Sequence, residues 1–334
     1  MAKQIMTNKT KMNEIEFVRN NRIVKELILV DGAPRSGKSM IGAILATFDR
    51  VEIERMEPIL DSLPILYYFN KIEKDAAIAL LCREIDNKLY DSLISRNVNF
   101  RFSDRTGVIN NVSLLKYFKR LFYNDGDIVL ERIKRERPIF QVQTHDMLQK
   151  IDLYFDAFQE GLRVIEMVRH PVDLVDAMYN RGIGDRIGID PRAWQLSIKC
   201  EGGEAPYYAF GWTNDFLKES PLNRVIKVAN SLTEQVTTKY ESLSHAQKKQ
   251  VLFVPFEEFA VSPSKCLELI SKFIDAKITK RTYRSLRRQK VPRKIDIKER
   301  EKKVTLLKEN ASEENILILN NLVKKYEKKY LNGI

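Results

Sequence analysis

The 334-residue chain contains only three cysteines, Cys82, Cys200 and Cys266. Odd in number and without C-x-x-C spacing, they argue against a disulfide framework and against a thiolate zinc site. No apolar run approaches a membrane span, and the opening stretch Met1–Arg22 is polar and mixed in charge rather than a signal-peptide core. These absences set the expectation of a cytoplasmic protein with no membrane partner. There is no convincing internal repeat, and the composition, 44% hydrophobic and 31% charged, is not that of a disordered or low-complexity chain.

Positive charge is plentiful. Lys and Arg number 57 against 45 Asp and Glu, a net charge of +12, which favours anionic ligands: nucleotides, sulfated or phosphorylated sugars, or nucleic acid. Much of the excess lies between Lys277 and Lys303, where a solvated helix face is an equally good reading.

Along the chain, Glu26–Val30 reads as a short buried strand and Met40–Ala46 as the apolar body of a helix. Val51–Ile53 reads as a second strand, and Asp75–Arg96 has helical spacing. Beyond it lies a polar Asn97–Asn111 loop. Pro138–Val142, Val164–Val168 and Val251–Phe256 read as further strands, separated by helix-like segments. Strands alternating with helices predict an α/β fold with a mainly parallel sheet flanked by helices on both faces, and ligands at the carboxyl ends of the strands. The expected organisation is a polar arm at 1–25, an α/β domain at 26–276 and a basic helical C-terminal extension at 277–334 packed on it.

Between the first strand and its helix, Gly32-Ala33-Pro34-Arg35-Ser36-Gly37-Lys38-Ser39 matches G-x-x-x-x-G-K-[ST], with the flanking elements that pattern requires. The two glycines let the backbone curl so that several N–H groups face one anion, the helix amino terminus adds partial positive charge, and Arg35 and Lys38 can reach phosphate oxygens. Two groups of proteins carry such a loop. Kinases and nucleotide triphosphatases use it with Mg²⁺ and need an acid at the end of a second strand; Asp146 is the candidate, behind a strand interrupted by Gln143 and His145.

The other group is the sulfotransferases that use 3′-phosphoadenylyl sulfate (PAPS). Ala33-Pro34-Arg35-Ser36-Gly37 resembles their 5′-phosphosulfate loop, with Lys38-Ser39 where Thr-Thr is usual. Arg169-His170-Pro171-Val172-Asp173 resembles their R-x-P-x-D segment, in which the Arg binds the 3′-phosphate. Ala177 stands where a Ser is usual, leaving Asn180 or Arg181 as substitutes for its contact. A strand-end salt bridge with Asp173 is the competing role for Arg169. Gln143-Thr144-His145 resembles the K-T-H segment, whose His is the general base toward the acceptor hydroxyl. Imidazole suits that task because its ordinary pKa lies near neutrality. Phe256-Glu257-Glu258-Phe259 resembles the family's late Y-E-D-L turn.

The resemblance, running from about Leu27 to Ile274, implies a three-layer P-loop sulfotransferase-like fold, with PAPS bound by Pro34, Arg35, Ser36, Gly37, Lys38, Ser39, Arg169 and Arg293. His145, Arg35 and Lys38 would carry the chemistry with no metal, giving adenosine 3′,5′-bisphosphate as product. The implied acceptor is a small molecule or carbohydrate, contacted by Arg96, Arg101 and Arg105, and the aromatics Tyr207, Tyr208, Phe210 and Trp212 are candidates to stack on a sugar or on adenine. Nucleic acid is not an expected partner, and a homodimer is left open. A P-loop kinase using ATP-Mg²⁺ on a small molecule is the alternative reading, and a non-catalytic nucleotide or nucleic-acid binder the third.

Overall fold

The computed structural model describes residues 15–104, 107–110 and 113–331. Strands β1 (Glu26–Asp31), β2 (Ile139–Gln143), β3 (Leu162–Val168) and β6 (Val251–Pro255) form a parallel sheet in the order β2-β1-β3-β6. β4 (Ser197–Cys200) and β5 (Gly203–Pro206) pair antiparallel outside it. Along β1, Leu27 and Leu29 enter one core cluster, and Ile28 and Val30 enter another. This is the period of two expected of a strand buried on both faces.

Helices α1 (Lys38–Leu45), α7 (Pro263–Phe273) and α8 (Lys280–Arg288) cover the face of Ile28 and Val30. Helices α2 (Pro58–Tyr68), α3 (Lys74–Leu93) and α4 (Asp152–Phe158) cover the face of Leu27 and Leu29. A third apolar cluster joins α5 (Pro171–Tyr179), α6 (Pro221–Ser242), α9 (Ile297–Asn310) and α10 (Glu313–Tyr326). The three-layer α/β arrangement is the one the alternating pattern predicts. Each fully buried Leu or Ile contributes roughly 1.5–3 kcal/mol, so a polar side chain in these layers needs its own partners. Gln141, fully buried on β2, donates its amide to the carbonyls of Gly42 and Glu52 at 3.0 and 2.8 Å.

One expected strand is absent. Val51 and Arg55 make only isolated parallel bridges to Ile139 and Val142 at the β2 edge. Glu52 between them turns into a buried cluster with Arg120, Lys116 and Tyr117. Val51 and Ile53 are themselves buried in separate apolar clusters, so the segment lies along the β2 edge without extending the sheet as a strand.

Both ends of the described chain clasp the site-bearing region. Asp86, buried on α3, accepts the N–H groups of Ile23 and Val24, each at 2.9 Å, and pairs with Arg19. At the other end Arg300 and Lys303 of α9 hold Asp173 at 2.7 and 3.0 Å, and Tyr326 of α10 donates to Glu257. Glu257 in turn accepts the backbone N–H of His170 at 3.1 Å, at the start of α5. Pro171 at the first position of that helix fits its turn, since proline has no N–H to leave unpaired there.

Candidate active site

Strand β1 ends at Asp31 and the chain turns at once through Gly32, at φ 132°, Arg35, at φ 73°, and Gly37, at φ 111°. A Cβ at Gly32 would lie 2.4 Å from the Met167 carbonyl, and one at Gly37 2.6 Å from the Phe256 ring, so both positions need glycine on space as well as conformation. The loop closes on the amino terminus of α1, a concave set of N–H groups suited to an anion. Ser36 Oγ is buried without a hydrogen-bond partner among the described residues. Lys38 is turned inward, its ammonium on the carbonyls of Gly32 and, at 3.1 Å, Ala33. Its charge acts from beneath the loop, while Arg35 stands exposed at the rim. Ser39 donates to Gln143 Oε1 at 2.8 Å.

Arg169 leaves the end of β3 toward this loop and donates to the Arg35 carbonyl at 2.8 Å. Its Nε is buried without a partner. The competing salt bridge with Asp173 does not form, because Asp173 is taken by Arg300 and Lys303. The guanidiniums of Arg169 and Arg293 lie 4.9 and 5.1 Å from the centroid of one ring, Phe256. One ring thus supports both cations, while Arg169 also bonds the Arg35 carbonyl and Arg293 contacts Met40 Sδ. Lys294, beside Arg293, is exposed and does not line the cavity described below.

His145 follows β2. Its Nδ1 lies 3.0 Å from Asp61 Oδ2, and its backbone N–H donates to Asp61 Oδ1 at 3.2 Å. Held at two points by one carboxylate, the ring presents Nε2 without a hydrogen bond among the described residues. Asp61 sits on α2, 84 positions earlier in the chain. No local pattern marks it, since only the packing of α2 beside β2 brings the two together.

A cavity of about 1030 Å³ unites these groups: Pro34, Arg35, Gly37, Lys38, Ser39, Arg169, Arg293 and His145 all line it. Ser36, the remaining residue of the expected set, lies in the wall behind the loop. The volume is at the upper end for small-molecule sites, with space for two reactants. Asp61, Tyr207, Phe256 and several residues between Asn180 and Leu196 also line the cavity.

Most of the described residues expected on the acceptor side lie away from this cavity. Arg96 is drawn into ion pairs with Asp125 and Asp91 on the outer surface, and neither it nor Arg101 lines the cavity. Arg105 lies outside the described residues. Of the four aromatics expected there, Tyr207 alone lines the cavity: Tyr208 is buried in the third cluster, Phe210 packs on Phe69 and Trp212 on Phe216. The wall that stands there instead, 180–196, carries no motif in the sequence.

Beneath the floor lies a group of buried ionisable side chains. Burial pushes the Asp146 carboxyl up to about 8, with nearby Lys38 opposing and Asp31 adding to the rise. Asp31 has its own partners, accepting from Thr144 Oγ1 at 2.9 Å and the Leu148 N–H at 2.6 Å. Glu166, beside Asp31 in the sheet, is also raised by burial. Burial lowers Lys150 to about 8 against the pull of Asp146. Its ammonium lies 4.8 and 5.1 Å from the ring centroids of Tyr68 and Tyr207.

No family model and no curated protein matches the sequence. Among solved structures, the chain is similar to the sulfotransferase domain of the curacin biosynthetic pathway, at 10% identity and a TM-score of 0.44 over 79% of this chain and 78% of that one. It is also similar to the sulfotransferase domain of the Synechococcus PCC 7002 olefin synthase, at 12% identity and a TM-score of 0.43 over 94% and 91%. A sulfotransferase from Alicyclobacillus acidocaldarius gives 14% identity and a TM-score of 0.41 over 90% and 96%.

Proposed function

We propose that this protein is a PAPS-dependent sulfotransferase that moves a sulfuryl group to a hydroxyl, or an amine, of a polar acceptor. The observation that carries this reading is the convergence in one cavity of a phosphate loop, two cations on one ring and a histidine oriented by a carboxylate. The residues present fit the donor. The loop turns through positive φ at Gly32 and Gly37, both packed too closely on Met167 and Phe256 to carry a Cβ, and Arg169 keeps a buried donor atom unpaired.

When bound, PAPS supplies a sulfuryl group already attached to a phosphate leaving group. Pro34 to Ser39 would hold the phosphosulfate, with the loop N–H groups, Arg35 and Lys38 stabilising the charge that gathers on the 5′-phosphate oxygen as its bond to sulfur breaks. Arg169 and Arg293 would hold the 3′-phosphate, where a planar fork matches a dianion. His145 Nε2 takes the proton of the acceptor hydroxyl as that oxygen bonds to sulfur, and Asp61 keeps the ring in the tautomer that leaves Nε2 free to accept it. The products are a sulfate ester and adenosine 3′,5′-bisphosphate.

The kinase alternative asks Ser39 and a carboxylate to hold Mg²⁺ together. Ser39 instead bonds a neutral amide, Gln143, and Asp146 lies buried below the floor with its carboxyl raised to about 8. Calorimetry of the full chain with adenosine 3′,5′-bisphosphate and with ATP-Mg²⁺ separates the readings. Tight, metal-independent binding of the bisphosphate is expected, and preference for ATP-Mg²⁺ would sink the proposal. Binding of neither, with salt-sensitive RNA or DNA binding, would favour the third reading.

A further inference from the structure

The cavity carries more positive charge than the donor accounts for. Beyond the four cations assigned to the nucleotide, Arg181, Arg186 and Arg192 line the wall formed by residues 180–196. The two carboxylates in the lining are both engaged: Asp61 with His145, and Asp190 with two guanidiniums at once. Asp190 accepts from Arg186 Nε at 3.0 Å, and from Arg192 Nε at 3.0 Å and NH2 at 3.2 Å. The guanidinium of Arg181 makes no bond among the described residues. Among the residues of this wall that line the cavity, three guanidiniums stand against one carboxylate, which leaves a net positive field in a concave site, where it is screened less than on an open surface.

Arg186 is the rigid part of this wall. It donates also to the Arg192 carbonyl at 3.1 Å, closing the segment on itself. Near it stands Trp194, 74% exposed yet lining the cavity, with an open face for a sugar or aromatic ring. An uncharged acceptor would leave the surplus charge unanswered when it displaced water, whereas a carboxylate or sulfate ester would meet a guanidinium fork.

We propose that the acceptor is a ring-bearing hydroxyl compound that carries an anionic group, and that Arg181 is the residue that selects it. This rests on the sulfotransferase reading and names the acceptor class for the same cavity. It moves acceptor recognition from the 96–105 loop to the 180–196 wall.

The test uses the full chain, labelled PAPS and two matched pairs of acceptors: 4-hydroxybenzoate with 4-hydroxybenzamide, and tri-galacturonate with its methyl ester. The anionic member of at least one pair is expected to be labelled with a kcat/KM about tenfold or more above its neutral partner. Arg181→Gln should bring that ratio toward one by raising KM for the anionic acceptor, and Arg181→Lys should restore part of it. Equal labelling of both members in each pair, or labelling of neither, overturns the anion assignment. If Arg181→Gln weakens adenosine 3′,5′-bisphosphate instead of the acceptor, Arg181 serves the donor and its assignment falls. Bisphosphate binding by the parent protein is measured separately, so a failure of the functional reading appears as loss of that signal.

Discussion

The guanidinium of Arg169 donates to the backbone carbonyl of Arg35 at 2.8 Å, so the end of β3 physically supports the loop that follows β1. A residue read from the sequence as a phosphate ligand, or as a salt-bridge partner of Asp173, here braces the backbone of the loop after β1. Two effects follow from one side chain.

Arg169→Ala should therefore weaken adenosine 3′,5′-bisphosphate by about 10- to 100-fold, through a lost charged hydrogen bond and a loosened loop. Arg169→Lys keeps the charge but not the fork, and should recover only part of that loss. Calorimetry reads both, and parental affinity in the Ala variant would remove Arg169 from the donor site.

Phe256 supports Arg169 and Arg293 together and touches Gly37. Phe256→Leu should lower bisphosphate affinity by about 2- to 30-fold, the range of one cation–π contact, while Phe256→Tyr keeps it. A Leu variant that binds like the parent would show that the ring is packing only.

His145→Ala should leave bisphosphate affinity nearly intact and cut turnover by about 10²–10⁴-fold. Asp61→Asn should also cut turnover, because the amide can donate to Nδ1 and turn the proton to Nε2, the wrong tautomer for a base. Since the pair acts as a unit, the double variant should be no slower than His145→Ala alone. Additive losses, or full activity in His145→Ala, would refute the assignment.

Stability should depend on pH through the floor of the cavity. Burial raises the Asp146 carboxyl to about 8, and likewise that of Glu54 beside Lys38. From the ordinary carboxylate range up to about 8 the folded chain thus keeps protons that the unfolded chain has released, so stability falls as pH rises through that window. Lys150, lowered to about 8, acts oppositely and above that value: there the unfolded chain holds the extra proton, and stability recovers toward the ordinary lysine range. Asp146→Asn should flatten the fall between pH 5 and 8, by up to about 1 kcal/mol per pH unit. Thermal denaturation across that range tests it; an unchanged slope would show that Asp146 ionises freely.

Much of the fold was legible because β1, β2, β3 and β6 are short apolar runs bounded by polar residues, and strand burial on both faces leaves that signature. Val51–Ile53 misled for the same reason: its three residues carry the β-like pattern, but Glu52 finds Arg120 and Lys116 on one side and the pairing stops at isolated bridges. Gly32, Gly37, Arg169 and His145 could be read from local motifs. Asp61, Arg186 and Trp194 could not, since each reaches the cavity from a segment whose own composition is that of an ordinary helix or loop; Arg181 was legible only as a substitute contact beside Ala177.

The sequence by itself determined the strand–loop–helix turn at Gly32–Ser39, because glycine spacing, a preceding strand and a following helix are all local. It also determined the alternation that makes the sheet parallel and doubly covered. Only the tertiary structure decided that Asp173 pairs with α9 and so leaves Arg169 to the loop, that Lys38 points inward, and that Asp61 orients His145. Those outcomes depend on which charged groups the packing of distant elements brings within reach, and not on neighbours in the chain.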